Sequence, residues 1–341
     1  MMRMASSQKP KTLVPKGVAT FLPEGVLLRR KIEKEIFSVF FRAGYQEVIT
    51  PLFEYLDVFS QTSGEDLVNR ACQFVDRATG RMMVLRPDVT PQIARMAATW
   101  LSDRDRPLRL CYCANIFRHA EEHAGQEREI VQMGAEQIGL SDARADAEII
   151  LLAMTILKKL KIKSKIVLGQ SDFIRGLLKP FESDPLLFQS LLSAIARKEM
   201  AHLSTLLKDV PVSPSLKKQV LLLPNLLGGK AVLETAKAFA KNPISHAGLK
   251  RLSNVVCLLE EAGFSDNLLI DLSEVKGFDY YTGIVFEVFS DLTHIELGGG
   301  GRYDGLSSKF NLTGGDRVAE AAIGFALDME QIQRVKESSL R

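Results

Sequence analysis

Strand-like runs occupy both halves of the 341-residue chain, and a long helical block separates them. The runs LRLCYCANIFR and EIVQMGAEQIG precede this block, and TGIVFEVFS and HIELGGGGRYDGL follow it. Residues 171–265 instead contain short helical patterns rich in leucine, alanine and lysine, interrupted by prolines. Strands in both halves with helices between them predict one α+β core that is interrupted by a helical insertion.

Local patterns predict the elements around that core. A stripe of apolar residues predicts a helix from Pro23 to Phe41. YQEVITPLFEY predicts a strand ended by Pro51, and MMVLRPDVTPQIARMAATWL predicts a strand, a turn and a helix capped near Thr90. Further predictions are a helix over ARADAEIILLAMTILKKL, strands over KSKIVLG and LLIDLS, and a final helix over AAIGFALDMEQIQRVKES. The predicted domains are a flexible segment over residues 1–16, a core of residues 17–170 and 266–341, and a helical insertion over residues 171–265.

Charge and composition narrow the class of protein. The net charge of +3 comes from well-mixed residues, so no surface devoted to nucleic acid is expected. The N-terminus lacks the apolar run of a signal peptide, and no window approaches the ~18 uninterrupted apolar residues of a membrane span. The four cysteines include no C-x-x-C pair, which predicts buried thiols in a reducing compartment. A soluble, cytoplasmic protein without a membrane partner is expected.

The stretch FRHAEEHAGQERE, residues 117–129, allows two functional interpretations. His119 and His123 match the H-x-x-E-H pattern of an inverted zinc protease, but that pattern requires a helix, and here a hairpin is predicted. We therefore predict no metal. Arg118 and Arg128 flank a loop that is able to hold a nucleotide, yet the same stretch carries four glutamates that repel phosphates.

Two further motifs are ambiguous when taken alone. GGGGRYDG matches no phosphate-binding pattern, and its four glycines indicate either a ligand or a closely packed backbone. In KGFDYYTGIVFEVF, strand alternation predicts that the hydroxyls of Tyr280 and Tyr281 lie on opposite faces. This motif is either an aromatic core or a pocket lined by Tyr281 with Lys276 or Asp279 nearby.

Together, these motifs resemble the core of class II aminoacyl-tRNA synthetases, specifically the histidyl type. GYQEVITPLFEY resembles the first motif of that family, NIFRHAEEHAGQEREIVQMGAEQIG the second and AAIGFALDMEQI the third. LRPDVT resembles its ammonium-binding loop, and KGFDYYTGIVFEVF and GGGGRYDGL its histidine signatures. The resemblance covers about residues 20–170 and 265–335. It implies an antiparallel sheet flanked by helices and a homodimer formed through the first motif.

Several residues depart from the synthetase pattern where ATP binds. Ala120, Glu121 and Gln126 replace residues of the arginine-rich loop, and Gln331 replaces the arginine that ends the third motif. Lys276 replaces the arginine of the histidine signature. Because an arginine fork binds phosphate in a bidentate manner, these replacements predict the loss of adenylation. The chain also stops soon after the third motif, so neither an anticodon-binding domain nor tRNA binding is expected.

The resemblance implies an intact amino-acid pocket in two parts. Asp88 and Thr90 are expected to hold the ammonium group, and Arg118 and Gln132 to reach the carboxylate or amine. The family has the longer glutamate where this chain has Asp88.

The second part of the pocket is expected to hold an imidazole ring. Glu136 and Tyr281 are expected to hydrogen-bond its two nitrogens, since a neutral imidazole offers one donor and one acceptor. Tyr280 belongs to the same set, and Tyr303 is expected to close the wall. The glycines at 298–301 would let the backbone approach the ligand closely.

A histidine pocket without an ATP site or a tRNA domain is similar to the regulatory subunit of ATP phosphoribosyltransferase. That resemblance implies a non-catalytic partner of a short-form catalytic subunit at the first step of histidine biosynthesis. It also implies free histidine as a feedback effector, a homodimer within a hetero-octamer, and no cofactor. The alternatives are a truncated histidyl-tRNA synthetase and a stand-alone histidine sensor.

Overall fold

A computed structural model describes residues 14–60, 62, 65–119, 127–238, 240–275, 277, 280–310 and 319–340. Its strands are β1 (Gln46–Glu47), β2 (Phe53–Tyr55), β3 (Cys72–Val75), β4 (Met82–Leu85), β5 (Leu108–Phe117), β6 (Glu129–Ile138), β7 (Ser164–Gln170), β8 (Leu227–Gly228), β9 (Leu268–Asp271), β10 (Ile284–Ser290), β11 (Glu296–Arg302) and β12 (Ala322–Asp328). Its α-helices are α1 (Pro23–Arg42), α2 (Leu56–Ser60), α3 (Glu65–Asn69), α4 (Thr90–Ala98), α5 (Ala143–Lys159), α6 (Ser171–Leu178), α7 (Pro185–Ala196), α8 (Met200–Leu207), α9 (Pro214–Leu222), α10 (Ala231–Lys237), α11 (Pro243–Glu261) and α12 (Met329–Leu340).

Most of these strands form one large sheet. In the described residues it has nine strands in the order β1-β5-β6-β12-β11-β10-β7-β9-β8, and β2, β4 and β3 form a smaller antiparallel sheet. The central pairs from β5 to β7 are antiparallel, as predicted. The β1–β5 and β7–β9 pairs are parallel, so the complete sheet is mixed.

The large sheet separates two hydrophobic cores. Successive side chains of a strand point to opposite faces, so β5 contributes Cys111 to one core and Leu110 and Tyr112 to the other. The first core contains α1, α5, α11 and α12, together with apolar residues of the predicted insertion such as Leu177 and Leu252. The second core lies under α4. A large cleft opens on the face of the second core, where Tyr280, Tyr281 and Tyr303 belong to both.

The block after β7 is helical, as the sequence predicts. Between Ser171 and Glu261 the described elements are helices, apart from the two-residue strand β8. A buried ionic cluster links α11 of this block to the core: Asp146 on α5 accepts from Arg251 Nε at 2.5 Å and from Arg302 Nε at 2.8 Å. The boundaries of residues 171–265 as a separate insertion stay a prediction.

One predicted element is wrong, and another is confirmed only in part. Residues 322–328 form strand β12, and only the second half of the predicted final helix is helical, from Met329 onward. β12 lies in the sheet between β6 and β11, where a strand buried on both faces has a continuous apolar sequence that periodicity does not distinguish from a helix. The predicted strand YQEVITPLFEY is divided at Pro51 between β1 and β2, which belong to different sheets.

Other predictions are corrected in detail. Thr90 is the first helical residue of α4 rather than its cap, because Val89 occupies the cap position without a side-chain hydrogen bond. The four cysteines are free, but only Cys111 is buried, and Cys257 on α11 is exposed. Residues 1–13 of the predicted flexible segment lie outside the described residues. No helix in the described part of the chain is long and apolar enough to cross a bilayer.

Candidate functional site

A cleft of about 950 Å³ opens above the centre of the large sheet. Small residues occupy neighbouring positions on its floor, because Gly324 and Ala326 of β12 pair with Gly301 and Gly299 of β11. A side chain at Gly299 or Gly300 would press on the backbone of an adjacent strand. The four glycines therefore allow the strand backbones to pack closely at the floor of the cleft. Of the two interpretations that the sequence left open, this is the closely packed backbone.

Glu136 on β6 is the polar centre of one end of this cleft. Glu136 is only 1% exposed. One oxygen of its carboxyl group accepts a hydrogen bond from Thr90 Oγ1 at 2.6 Å, and the other accepts one from the Tyr303 hydroxyl at 2.5 Å. Gly324 lies opposite Glu136 in the sheet, and any side chain there would collide with the carboxylate. Burial raises the pKa of Glu136 to about 8, although the two hydroxyl donors act in the opposite direction.

Three tyrosines surround Glu136, and we call this part of the cleft the tyrosine end. The ring of Tyr280 lies 5.0 Å from that of Tyr281 in an edge-on contact and 5.6 Å from that of Tyr303 in a stacked one. The predicted placement of Tyr280 and Tyr281 on opposite faces is wrong, because both line the cleft. They lie in a turn closed by the Gly277 carbonyl, before strand alternation begins at Ile284.

Asp88 and Arg118 lie at the mouth of the tyrosine end. Asp88 Oδ1 accepts from the Val89 amide at 2.7 Å, and Arg118 Nε donates to the Pro87 carbonyl at 2.9 Å. Burial raises the pKa of the Asp88 carboxyl, and the charge of Arg118 opposes this shift. A carboxyl group and a guanidinium group thereby line the same end of the cleft.

Arg86 supports this loop and was missed by the sequence reasoning. Its buried guanidinium donates to the carbonyls of Asn115 at 2.6 Å, Thr50 at 2.8 Å and Pro51 at 3.2 Å. These contacts fix the segment that carries Asp88 against β5. The sequence does place an arginine directly after the strand residue Leu85 and before Pro87. A buried basic residue at a strand end needs several hydrogen-bond acceptors, so this position could have identified Arg86 as a supporting residue.

Carboxylates crowd the opposite part of the cleft, where Glu127 and Asp328 line the cavity and Glu330 lies beside them. We call these three residues the acidic end. Each offers an oxygen within 4.8 Å of the others, and they are the candidate cation ligands among the described residues. Burial raises the pKa of Asp328 to about 7 and also raises that of Glu127. Arg334 pairs with Glu127, and Arg29 pairs with Glu330, so side chains of this protein already supply positive charge.

Gln132 lies between the two ends. It faces Asp328 in the β6–β12 pair, and its Oε1 atom is buried without a partner among the described residues. Gln331, at the position predicted to have lost an arginine, also lines the cleft. Lys276, Asp279 and residues 120–126 of the second motif lie outside the described residues.

Among the residues that the structure describes, the cleft lining has more acidic than basic side chains. The basic residues of the described lining are Arg70, Arg118 and His119. The acidic lining residues are Asp88, Glu127, Glu274, Glu287, Glu296 and Asp328. Such a lining disfavours a polyphosphate and suits a small ligand with an ammonium group.

Helix α7, from the predicted insertion, forms one wall of the cleft. Its residues Gln189, Leu192, Ser193 and Ala196 face the cavity, a contribution that no sequence motif indicated. Of the eight predicted site residues, seven line the cleft and Glu136 lies directly beneath it. The lining seven are Asp88, Thr90, Arg118, Gln132, Tyr280, Tyr281 and Tyr303.

Comparisons with known proteins agree with this arrangement. The family model for histidyl-tRNA synthetase matches residues 17–332. An ATP phosphoribosyltransferase regulatory subunit from Geobacter sulfurreducens is 40% identical over 298 residues, which is 87% of this chain and 68% of the relative. The chain belongs to the family of ATP phosphoribosyltransferase regulatory subunits.

Solved structures of regulatory-subunit and synthetase-like proteins share the fold. A Bacillus halodurans protein described as an ATP phosphoribosyltransferase regulatory subunit/histidyl-tRNA synthetase matches with a TM-score of 0.85 at 29% identity, covering 96% of this chain and 84% of its own. A histidine–tRNA ligase subunit from Alicyclobacillus acidocaldarius matches with a TM-score of 0.78 at 26% identity, covering 96% and 98%. The regulatory-subunit family therefore has a synthetase-like architecture.

The raised pKa of Glu136 predicts a pH-dependent stability. An unfolded glutamate titrates near pH 4.3, so between about pH 5 and 8 the folded state holds a proton that the unfolded state has lost. The free energy of unfolding should fall as pH rises through this window, by up to about 1.4 kcal/mol per pH unit from this group. Glu136→Gln, which does not titrate, should flatten the profile in urea unfolding at a series of pH values. Parallel profiles for the two proteins would contradict the assignment.

Proposed function

We propose that this chain is the non-catalytic regulatory subunit of ATP phosphoribosyltransferase, required for the activity of a short-form catalytic subunit in the first step of histidine biosynthesis. The name shared by its relatives supports the role. The observation that carries the proposal is a single cleft with two opposed ends. The tyrosine end suits histidine, whereas the acidic end opposes the triphosphate that a synthetase must bind.

Free histidine is the proposed ligand of the tyrosine end. A carboxylate and nearby hydroxyls complement a ring that carries both a donor and an acceptor nitrogen, and Glu136, Tyr281 and Tyr303 supply these groups. Asp88 offers a negative charge for the ammonium group, and Arg118 offers a positive charge for the carboxylate. No cofactor or metal takes part in this proposal.

The main alternative is a working histidyl-tRNA synthetase, which the name of the Alicyclobacillus relative favours. Adenylation requires cations placed around the phosphates of ATP. Here Gln331 stands at the end of the third motif, and Asp328 and Glu127 present half-buried carboxylates toward the same region. A stand-alone histidine sensor is the second alternative, and it differs from our proposal in needing no enzyme partner.

Feedback inhibition is the proposed consequence of histidine binding. A bound effector changes activity only if it binds one state of the complex more tightly than the other, and a coupling of ~1–3 kcal/mol is typical. Helix α7 connects the cleft to the protein surface, because Ser193 faces the cavity and Leu186 on the same helix is exposed. We propose this helix as one route by which occupancy reaches the partner.

We also propose a homodimer formed through the first motif. Apolar side chains of this motif face outward: Ile49 is 90% exposed and Phe53 is 52% exposed. Phe74 on the neighbouring strand β3 packs edge-on against Phe53 and is also exposed. A contiguous apolar surface of this kind marks an interface. The hetero-octamer stays an expectation from the family resemblance.

Co-purification tests the proposed partnership. We expect this chain to co-elute with a short-form ATP phosphoribosyltransferase catalytic subunit from the same organism, and light scattering of the peak will give the stoichiometry. Glu136→Ala is the matched control and should co-elute equally, since Glu136 is buried and makes no surface contact. Separate elution of the two wild-type proteins at micromolar concentration would favour the stand-alone sensor.

Histidine binding tests the proposed effector site. Replacing Glu136 with Ala or Tyr281 with Phe should weaken histidine binding by roughly 1–3 kcal/mol, because each removes a group expected to hydrogen-bond the imidazole. Calorimetric titration of the complex will measure the affinity, with inhibition of the phosphoribosyltransferase followed in parallel. Glu148→Ala is the control, because Glu148 pairs with Arg109 on β5 from helix α5, in the packing layer opposite the cleft. Equal binding and inhibition in the wild type and Glu136→Ala would place the feedback site elsewhere.

A further inference from the structure

An ion pair just beyond the end of helix α7 ties this helix to the large sheet. Lys198 follows α7 and donates through Nζ to Asp271 Oδ2 at 2.9 Å. Asp271 is the last residue of β9, and its other oxygen accepts from the amide of Ser273 at 2.9 Å and from the hydroxyl of Ser273 at 2.5 Å. The carboxylate is thus fixed on the sheet side by hydrogen bonds that do not involve Lys198.

This ion pair joins two segments that line the same cleft. On one side, α7 contributes Leu192 and Ser193 to the lining. On the other side, the chain that leaves β9 contributes Glu274 and Val275, and it precedes the turn that contains Tyr281. The contact therefore sets the position of a wall from the helical block relative to the segment that leads to the tyrosine end.

The helical block also holds the far end of that segment. Arg175 on α6 donates through Nη2 to the Tyr281 carbonyl at 3.3 Å. The amide of Ser171, the first residue of α6, donates to the Gly283 carbonyl at 2.9 Å. The connection between β9 and β10 is thus attached to the helical block where it begins, at Asp271, and where it ends.

The backbone of Lys198 is in the left-handed region, with φ at +57°. Glycine is the common residue in this conformation just after a helix, because a side chain is strained there. Lys161 after the end of α5 has nearly the same φ, +56°, and forms no ion pair within the described part of the chain. The two lysines therefore share the backbone strain, and the contact with Asp271 distinguishes Lys198.

We propose that Lys198 is a positioning residue of the histidine pocket: its ion pair with Asp271 holds α7 and the segment leading to Tyr281 in the arrangement that binds the ligand. The inference rests on the proposed histidine site. Only the fraction of molecules in the binding arrangement accepts ligand, so a contact that raises this fraction raises the apparent affinity.

The exposure of the ion pair sets the size of the expected effect. The side chain of Lys198 is 40% exposed and that of Asp271 is 12% exposed. Ion pairs that are partly open to solvent change an equilibrium by up to about 5-fold.

The test compares Lys198→Gly with Lys161→Gly in the full-length chain by calorimetric titration of histidine. Both variants should fold, because glycine adopts this backbone conformation without strain. Lys198→Gly should weaken histidine binding about 2- to 5-fold. Lys161→Gly relieves the same strain without removing an ion pair and should bind as the wild type does. Lys198→Arg should keep wild-type affinity, because a guanidinium also pairs with a carboxylate.

A double-mutant cycle tests the route through Asp271. Asp271→Asn removes the charge but keeps an acceptor for Ser273, and in this background Lys198→Gly should cause no further loss of affinity. Unchanged affinity in Lys198→Gly, equal losses in the two glycine variants, failure of Lys198→Arg to keep affinity, or additive losses in the cycle would each overturn the inference while leaving the histidine site intact. A wild-type chain that binds no histidine would overturn the proposed effector site and this inference with it.

Discussion

The buried carboxylate of Glu136 determines the shape of the cleft. It joins three separate parts of the chain, because β6 carries it, Thr90 at the start of α4 donates to one oxygen, and Tyr303 after β11 donates to the other. Both hydroxyl donors favour the charged form of Glu136, but burial outweighs them and raises its pKa to about 8. Gly324 leaves the space that the carboxylate needs. The pocket thus has its polar groups in place before any ligand binds.

The side chains above the sheet change in character along strand β6, from the tyrosines around Glu136 to the carboxylates beyond Gln132. Glu136 and Gln132 lie four residues apart on β6, a separation of about 13 Å in an extended strand. Beyond Gln132, the carboxylates of Asp328 and Glu127 line the acidic end of the cleft. Arg29 and Arg334 pair with Glu330 and Glu127, so these cations serve protein carboxylates rather than phosphates. The two ends of the cleft therefore differ in chemistry, as the proposed function requires.

The sequence predicted much of this arrangement because its motifs carry local signals. The β5–β6 hairpin follows from strand periodicity, and the resemblance identified the eight pocket residues that the fold brings together. Contacts between distant segments had no such signal. Arg86 reaches the carbonyls of Thr50 and Asn115. Helix α7 begins at Pro185, far along the chain from the end of β6 at Ile138, and still lines the cleft. β12 was predicted as a helix because a strand buried on both faces has no alternating pattern. Tyr280 and Tyr281 were placed on opposite faces because the turn that precedes β10 was taken for strand.

Pyrophosphate exchange tests most directly whether the cleft has lost nucleotide chemistry while keeping histidine recognition. The measurement is histidine-dependent exchange of labelled pyrophosphate into ATP, made on a preparation whose histidine binding has been confirmed by calorimetry. An acidic site that opposes phosphates predicts no exchange above background, together with saturable histidine binding. Exchange at rates typical of a synthetase would show that Gln331, Asp328 and Glu127 do not exclude ATP, and would contradict the assignment of this chain as a non-catalytic subunit.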